Sequence, residues 1–328
     1  MTVSDLVFVT GASGFIGSQV TLSLLTAGYK VRLSLRREEQ IAELRAIFSK
    51  YVDQLEFVII PDITVTGVFD KALNSVQYVI HIASPLPQPG DLLTPAVRGT
   101  ESILEEASKW PCVKKVVICA SIASFFPVSG AVNGTIYKET FDVGFDETPE
   151  EIAQLDHFSQ YIASKNASYK ATIDFVRNQK PSFDVVTLHP AFTFGRSLIQ
   201  KRADEQLDST NTMLFNAIMY EQWCFGAFPL RQFLGVHLDD VAAAHLKVLD
   251  GSIQGFQQYL LSAPRRSVED VVSFITTQYP NLPFKLKPGD TKFFMADASK
   301  AEKELGMHFK PMEDQVKDVM DQQLELLN

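Results

Sequence analysis

An α/β protein built on a doubly wound parallel sheet is the fold class that this 328-residue sequence predicts, on three observations. Short apolar runs alternate with stretches of helical period through residues 1–190. A glycine-spaced turn, Thr10-Gly11-Ala12-Ser13-Gly14-Phe15-Ile16-Gly17, joins the first apolar run to the first helical stretch. The residues that could carry chemistry fall where the apolar runs end, or on the helix beside such an end.

Taken in order, Leu6-Val7-Phe8-Val9 is a buried strand, and Val20, Leu22, Leu24 and Leu25 suit the helix after the turn. Lys30 to Leu35 is a second strand, followed by a helical stripe of Ile41, Leu44, Ile47 and Phe48. Leu55 to Ile60 and Val76 to Ala83 are the third and fourth strands. Thr100 to Ser108 is helical and Lys115 to Ala120 is the fifth strand. Ile162, Tyr169, Ile173 and Val176 mark a further helix before a sixth strand, Phe183 to Leu188. Strands separated by helices imply crossover connections and a parallel sheet covered on both faces. Ligands on such a sheet bind at the carboxyl ends of the strands.

After His189-Pro190 the pattern loosens. Residues 191–235 hold scattered aromatics (Phe192, Phe194, Phe215, Trp223, Phe225, Phe228, Phe233) without a clear βα repeat. Val236 to Leu249 resumes a helix, Gln258 to Ser262 is a last strand, and the tail has helical stretches near 267–278, 297–305 and 312–327. The expected division is a nucleotide-binding domain from 1–190 plus about 236–263, and a smaller substrate lobe from 191–235 plus about 264–328.

A hydrophobic content of 46% suffices for a large core, and a net charge of −9 argues against a nucleic-acid surface, which would be basic. No apolar run reaches a bilayer's width and no basic tract suggests a membrane surface. Cys112, Cys119 and Cys224 are few and lack metal-ligand spacing, so a reducing, cytoplasmic setting is expected and no metal. No H-E-x-x-H and no G-x-S-x-G occurs, which leaves zinc and serine hydrolysis without support.

The glycine turn is a variant of a dinucleotide fingerprint, G-x-x-G-x-x-G. Gly11 suits the tight turn, Gly14 the close approach of backbone to a bound group, and Gly17 the packing of helix on strand. Ser13, Phe15 and Ile16 complete the cradle, and free N–H groups of the helix's first turn favour a phosphate. About 20 residues on, where such sites present a ribose partner, stands Arg36-Arg37. A guanidinium fork suits a 2′-phosphate, so NADP(H) is expected over NAD(H), with Arg36 its partner; solvated surface arginines are the alternative. Asp62 is placed to accept from an adenine amino group, with Ile63 packing nearby, or else caps a helix. Ala83 and Ser84 would lie along the diphosphate and nicotinamide ribose.

Tyr161 and Lys165, four apart, share one helix face. A phenol is a weak acid, and an ammonium nearby favours its anion. Tyr161 could then pass a proton to a carbonyl oxygen whose carbon accepts hydride, while Lys165 also reaches the nicotinamide ribose. Ser121, at the end of the fifth strand, offers a further donor to that oxygen.

The glycine turn, Ser121 and Tyr161-Ile162-Ala163-Ser164-Lys165 together resemble the extended short-chain dehydrogenase/reductases. Val79-Ile80-His81-Ile82-Ala83-Ser84-Pro85, Pro95-Ala96-Val97-Arg98-Gly99-Thr100, Phe192-Thr193-Phe194-Gly195 and Val236 to His245 narrow the resemblance. They are similar to the branch that holds dihydroflavonol reductases, cinnamoyl-CoA reductases and yeast methylglyoxal or aldehyde reductases. The resemblance runs to about residue 305. It implies a Rossmann-type fold and NADPH-dependent reduction of a ketone or aldehyde, with Ser121, Tyr161 and Lys165 as the triad. Pro190 and Phe192 then line the nicotinamide pocket, and Pro85, Phe126, Phe192 and Phe194 the substrate pocket, which suits bulky hydrophobic carbonyls. Cys119-Ala120-Ser121 departs from the family's Thr-Ser-Ser, and Ser124 stands three residues on as a substitute. His189 replaces an asparagine common before the proline and is expected to be structural, and His157 could touch substrate. A nucleotide-sugar epimerase or dehydratase, and a catalytically silent NADP(H) sensor, are the other readings of the same residues. A monomer or a homodimer fits equally.

Overall fold

The computed structural model describes residues 5–85, 90–139, 144–203, 205, 210–220, 232–288 and 293–327. Along the chain β1 (Leu6–Thr10), α1 (Phe15–Thr26), β2 (Lys30–Leu35), α2 (Glu39–Ile47), β3 (Leu55–Ile59), β4 (Tyr78–His81), α3 (Leu93–Ala107) and β5 (Lys115–Cys119) form the first half. There follow β6 (Ile136–Tyr137), α4 (Pro149–Ile152), α5 (His157–Gln179), β7 (Asp184–Pro190), β8 (Phe192–Phe194), α6 (Thr210–Tyr220) and β9 (Gly235–His237). Last come α7 (Leu238–Lys247), β10 (Phe256–Leu261), α8 (Val268–Gln278), β11 (Met295–Ala296), α9 (Ser299–Leu305) and α10 (Met312–Leu327).

Seven strands form one sheet in the order β10-β7-β5-β4-β1-β2-β3, and every pair is parallel. Its strands alternate between two apolar layers. Val7, Val9, Ile80, Val117 and Val186 join one core, while Leu6, Phe8, Val79, Val116 and Val185 join the other. Each such side chain contributes about 1.5–3 kcal/mol by leaving water. The order reverses between β1 and β4, which opens a crevice at their carboxyl ends. All seven strands expected from the sequence are present, with ends shifted by one or two residues.

Two expectations need correction. The helix expected from Val236 starts at Leu238, because β9 occupies Gly235–His237 and His237 caps α7 by accepting from the Asp239 N–H at 3.1 Å. Residues 191–235 do contain a βα unit: β8 pairs in parallel with β9, and α6 lies between them in the chain. Strands of three residues are too short to show period-two alternation. Phe194, Leu214, Phe215, Phe233, Val271 and Val316 form a separate core there with α8 and α10. Trp223, Cys224, Phe225 and Phe228 lie outside the described residues. Ala298, Ala301 and Leu305, from the segment assigned to the smaller lobe, pack in the core of the main sheet.

Lys115 fastens the sheet to the loop after α7. Its side chain is 2% exposed, and Nζ donates to the carbonyls of Val248 (2.8 Å), Asp250 (2.8 Å) and Ile253 (2.6 Å). Lys115→Met keeps the length of the stem but strips three carbonyls of their donor. It is expected to destabilise the protein by about 3 kcal/mol or more, read as a lowered urea midpoint.

Candidate active site

One cleft of about 930 Å³ runs across the carboxyl ends of β1, β2, β4 and β5, and α5 and α6 wall it on the other side. Gly11, Ser13, Gly14, Phe15, Ile16, Gly17, Arg36, Ile63, Ala83, Ser84, Ser121, Phe126, Tyr161, Lys165, Pro190 and Phe192 all line it.

At the glycine end, Gly11 has φ +74°, and a Cβ there would meet Ala83 N at 2.7 Å. A Cβ on Gly17 would stand 2.0 Å from the Gly11 carbonyl oxygen. The turn closes with Gly14 N–H donating to Gly11 O at 3.0 Å. Gly14 caps α1 with no side-chain bond, and the first turn of α1 carries no acidic residue. Those N–H groups are therefore suited to an anion. Thr10 holds the two strand ends together: its Oγ1 accepts from Ile82 and Ala83 N–H, each at 3.2 Å, and donates to His81 Nδ1 at 2.9 Å. Burial pushes the His81 imidazolium down to about 4, so that nitrogen is free to accept.

Arg36 and Arg37 stand exposed just past β2, and both line the cleft. Gln40 braces them. Its Oε1 accepts from the Arg36 N–H (3.1 Å) and the Arg37 N–H (3.2 Å), and its Nε2 donates to Ser13 Oγ (2.9 Å). One amide thus joins the glycine turn to the arginine corner.

On the opposite wall Tyr161 and Lys165 project from α5. Lys165 is buried, its Nζ donates to Ser84 Oγ at 2.7 Å, and it lies 5.3 Å from the centre of the Tyr161 ring. Ser121 faces them from the end of β5. Its Oγ accepts from the Ala123 N–H at 3.1 Å, which caps a short turn, Ile122–Phe125. That turn is tied to α5 by Asn166, whose Nδ2 donates to Ala123 O and Phe126 O, each at 3.2 Å. His189 holds the strand end from below. The Ser121 carbonyl can only accept, so His189 Nδ1 donates to it at 3.1 Å, and Nε2 accepts from Thr187 Oγ1 at 2.8 Å. Burial pushes the His189 imidazolium down to about 3, which keeps the ring neutral and this tautomer fixed. Cys119 also lines the cleft, and burial pushes its thiol up to about 11, so it stays protonated.

Three expected residues stand off the cleft wall. Asp62 is exposed, and its carboxylate accepts from the Thr64 N–H (2.8 Å) and hydroxyl (2.7 Å). Those bonds hold the carboxyl below its usual range, and its neighbours Pro61 and Ile63 line the cleft in its place. Phe194 is 3% exposed and stacks on Phe233 at 5.2 Å, so it belongs to the core of the β8–β9 unit. Pro85 follows Ser84 but does not line the cleft. Ser124 is buried off the cleft and His157 is exposed away from it, whereas Ser121 is on the wall.

Sequence reasoning missed Gln40, Phe158, Thr210 and Met213, which all line the cleft. Phe158 precedes Tyr161 by three residues, so helix spacing places both on one face and could have found it. Thr210 and Met213 begin α6, in a region without a readable pattern. Among the described residues no group of three or more His, Cys, Asp or Glu could hold a metal, and no helix is long and apolar enough to cross a membrane.

Residues 7–260 match the model of the NAD dependent epimerase/dehydratase family. The chain is 39% identical to the ketoreductase sphI of Aspergillus fumigatus, over 98% of both chains. It is 30% identical to a putative NADPH-dependent methylglyoxal reductase, GRP2, of Candida albicans, over 92% of this chain and 90% of that one. Its fold superposes on the crystal structure of yeast methylglyoxal/isovaleraldehyde reductase Gre2 complexed with NADPH, with a TM-score of 0.84, 25% identity and coverage of 98% and 99%.

Proposed function

From the premise that the chain belongs to the NAD dependent epimerase/dehydratase family, as an extended short-chain dehydrogenase/reductase, we propose how its cleft works. The protein is an NADPH-dependent carbonyl reductase. The observation that carries the finer reading is that one cleft holds the glycine turn, two arginines, and Ser121, Tyr161 and Lys165 together.

The residues present fit the dinucleotide. The space that a Cβ on Gly11 or Gly17 would fill is backbone, which leaves a flat, N–H-rich turn for the diphosphate. Arg36, with Arg37 beside it, would hold the 2′-phosphate through guanidinium donors. Ile63, Ala83, Ser84, Pro190 and Phe192 would line the rest of its path, with Lys165 at the ribose. When bound, NADPH supplies the hydride that reduces the carbonyl carbon.

The protein's own residues do the rest. Ser121 Oγ donates to the carbonyl oxygen and orients it. Tyr161 gives its hydroxyl proton to that oxygen as negative charge develops there. The Lys165 ammonium stabilises the phenolate that remains. Residues 1–190 plus about 236–263, with the 298–305 stretch that packs in their core, carry the cofactor end, and 191–235 with the rest of 264–328 support the substrate end. Phe126 and Phe192 give that end an apolar character, which favours bulky hydrophobic ketones or aldehydes.

Incubation with NADPH and a carbonyl panel tests this: nicotinamide absorbance should fall only when a carbonyl is present. Arg36→Ala tests the phosphate assignment. KM for NADPH should rise by about 10-fold or more, as expected for a lost charge-assisted bond, with KM for NADH little changed. Equal changes for both coenzymes would remove Arg36 from that role.

A further inference from the structure

The substrate end of the cleft contains an aromatic side chain that neither the glycine turn nor the triad accounts for. Phe158 lies one helical turn before Tyr161 on α5 and lines the cleft. Its ring is 6.4 Å from the Tyr161 ring at an interplanar angle of 25°, an offset, nearly parallel arrangement. The backbone beneath it is fixed. The Asp156 carboxylate accepts from the N–H groups of Phe158 (3.0 Å) and Ser159 (3.1 Å) and from the Ser159 hydroxyl (2.7 Å). The side chain therefore projects from a capped helix and not from a loop.

The other features of the cleft narrow what this ring can receive. Phe126 is 3% exposed, with its ring against Tyr137 (4.8 Å) and Phe294 (5.1 Å), so it serves as a floor. Among the described lining residues the charged side chains are Arg36, Arg37 and Lys165. The arginines stand at the β2 end, and Lys165 donates to Ser84. The described wall around Phe158 thus offers aromatic surface and no charge to pair with an anionic substrate.

We propose that Phe158 is the specificity-determining residue of this reductase and that it selects neutral aryl ketones. The aryl ring lies over Phe158 while the attached carbonyl reaches the hydroxyls of Tyr161 and Ser121. This rests on the carbonyl-reductase reading above. An aromatic face rewards a second aromatic ring through its quadrupole, beyond the area both bury, and a saturated ring of equal size gains only the area.

The test compares acetophenone with cyclohexyl methyl ketone, which share a methyl carbonyl and differ in the ring. The parent protein should prefer acetophenone in kcat/KM. Phe158→Leu should lower the acetophenone to cyclohexyl methyl ketone ratio by about threefold to tenfold, the scale of one aromatic pair. Phe158→Tyr, which keeps the ring, should keep the ratio. Calorimetric titration of acetophenone into protein saturated with NADP⁺ should show the same loss of affinity for the leucine variant without turnover. A parent without aryl preference, or a leucine variant that changes neither ketone, would overturn the inference. So would a leucine variant that slows both equally, because Phe158 would then only support Tyr161. A parent that binds NADPH and reduces neither ketone would bring down the reductase reading and this inference with it; the absence of all turnover distinguishes that case.

Discussion

Tyr161→Phe should lower kcat for carbonyl reduction by about 10³-fold, within the range that one positioned acid contributes. The substitution removes a single oxygen from the cleft wall. The ring stays, and so does its packing beside Phe158 and Lys165. Lys165 keeps its bond to Ser84, and the glycine turn is untouched. Affinity for NADPH, measured by fluorescence titration, should therefore hold within about twofold, well under the 1.4 kcal/mol that a tenfold change represents. The contrast is what gives the result its meaning. Loss of rate with coenzyme binding intact assigns the proton to Tyr161. A variant that turned over near the parent's rate would assign it elsewhere.

Gly17→Ala should cost the most at the coenzyme end. The added Cβ would sit 2.0 Å from the Gly11 carbonyl oxygen, 2.7 Å from the Gly11 carbonyl carbon and 2.9 Å from Ala12 Cα. All three are backbone, so no side chain can swing aside. Either α1 lifts from β1 or the turn opens, and both spoil the N–H cradle. Overpacking of this kind costs up to about 3 kcal/mol or more, which corresponds to roughly a hundredfold loss in NADPH affinity. Gly251→Ala is the matched control, since a Cβ there meets nothing within 4 Å. Thermal midpoint and NADPH titration on both variants check the prediction. A Gly17→Ala protein that bound NADPH like the parent would refute the close-approach account.

Most of the scaffold was legible because a sheet buried on both faces writes continuous apolar runs. Val7-Phe8-Val9 and Val116-Val117-Ile118 are such runs, and their side chains supply both cores. The site was legible where function depends on backbone or helix spacing, as with Gly11, Gly17 and the Tyr161–Lys165 pair. It was illegible where tertiary packing decides which way a side chain turns. Phe192 and Phe194, two apart on one strand, look equivalent in sequence and share a strand face, yet Phe192 lines the cleft while Phe194 stacks on Phe233 in the core beside it. Asp62 has the right neighbours, but Thr64, two residues on, draws its Oδ1 into a local turn, and the side chain does not line the cleft. Gln40 left no signal, since nothing in a sequence shows that a helix residue reaches back to a turn 27 residues earlier.

That glutamine matters to anyone who would retool the protein for the dinucleotide without the extra phosphate. Its amide is committed on both sides, to Ser13 and to the main chain of Arg36 and Arg37. Grafting a carboxylate onto position 36 alone would leave the corner held in the shape that presents guanidinium groups. The stretch from 36 to 40 is one module, and an exchange of coenzyme would have to transplant it whole.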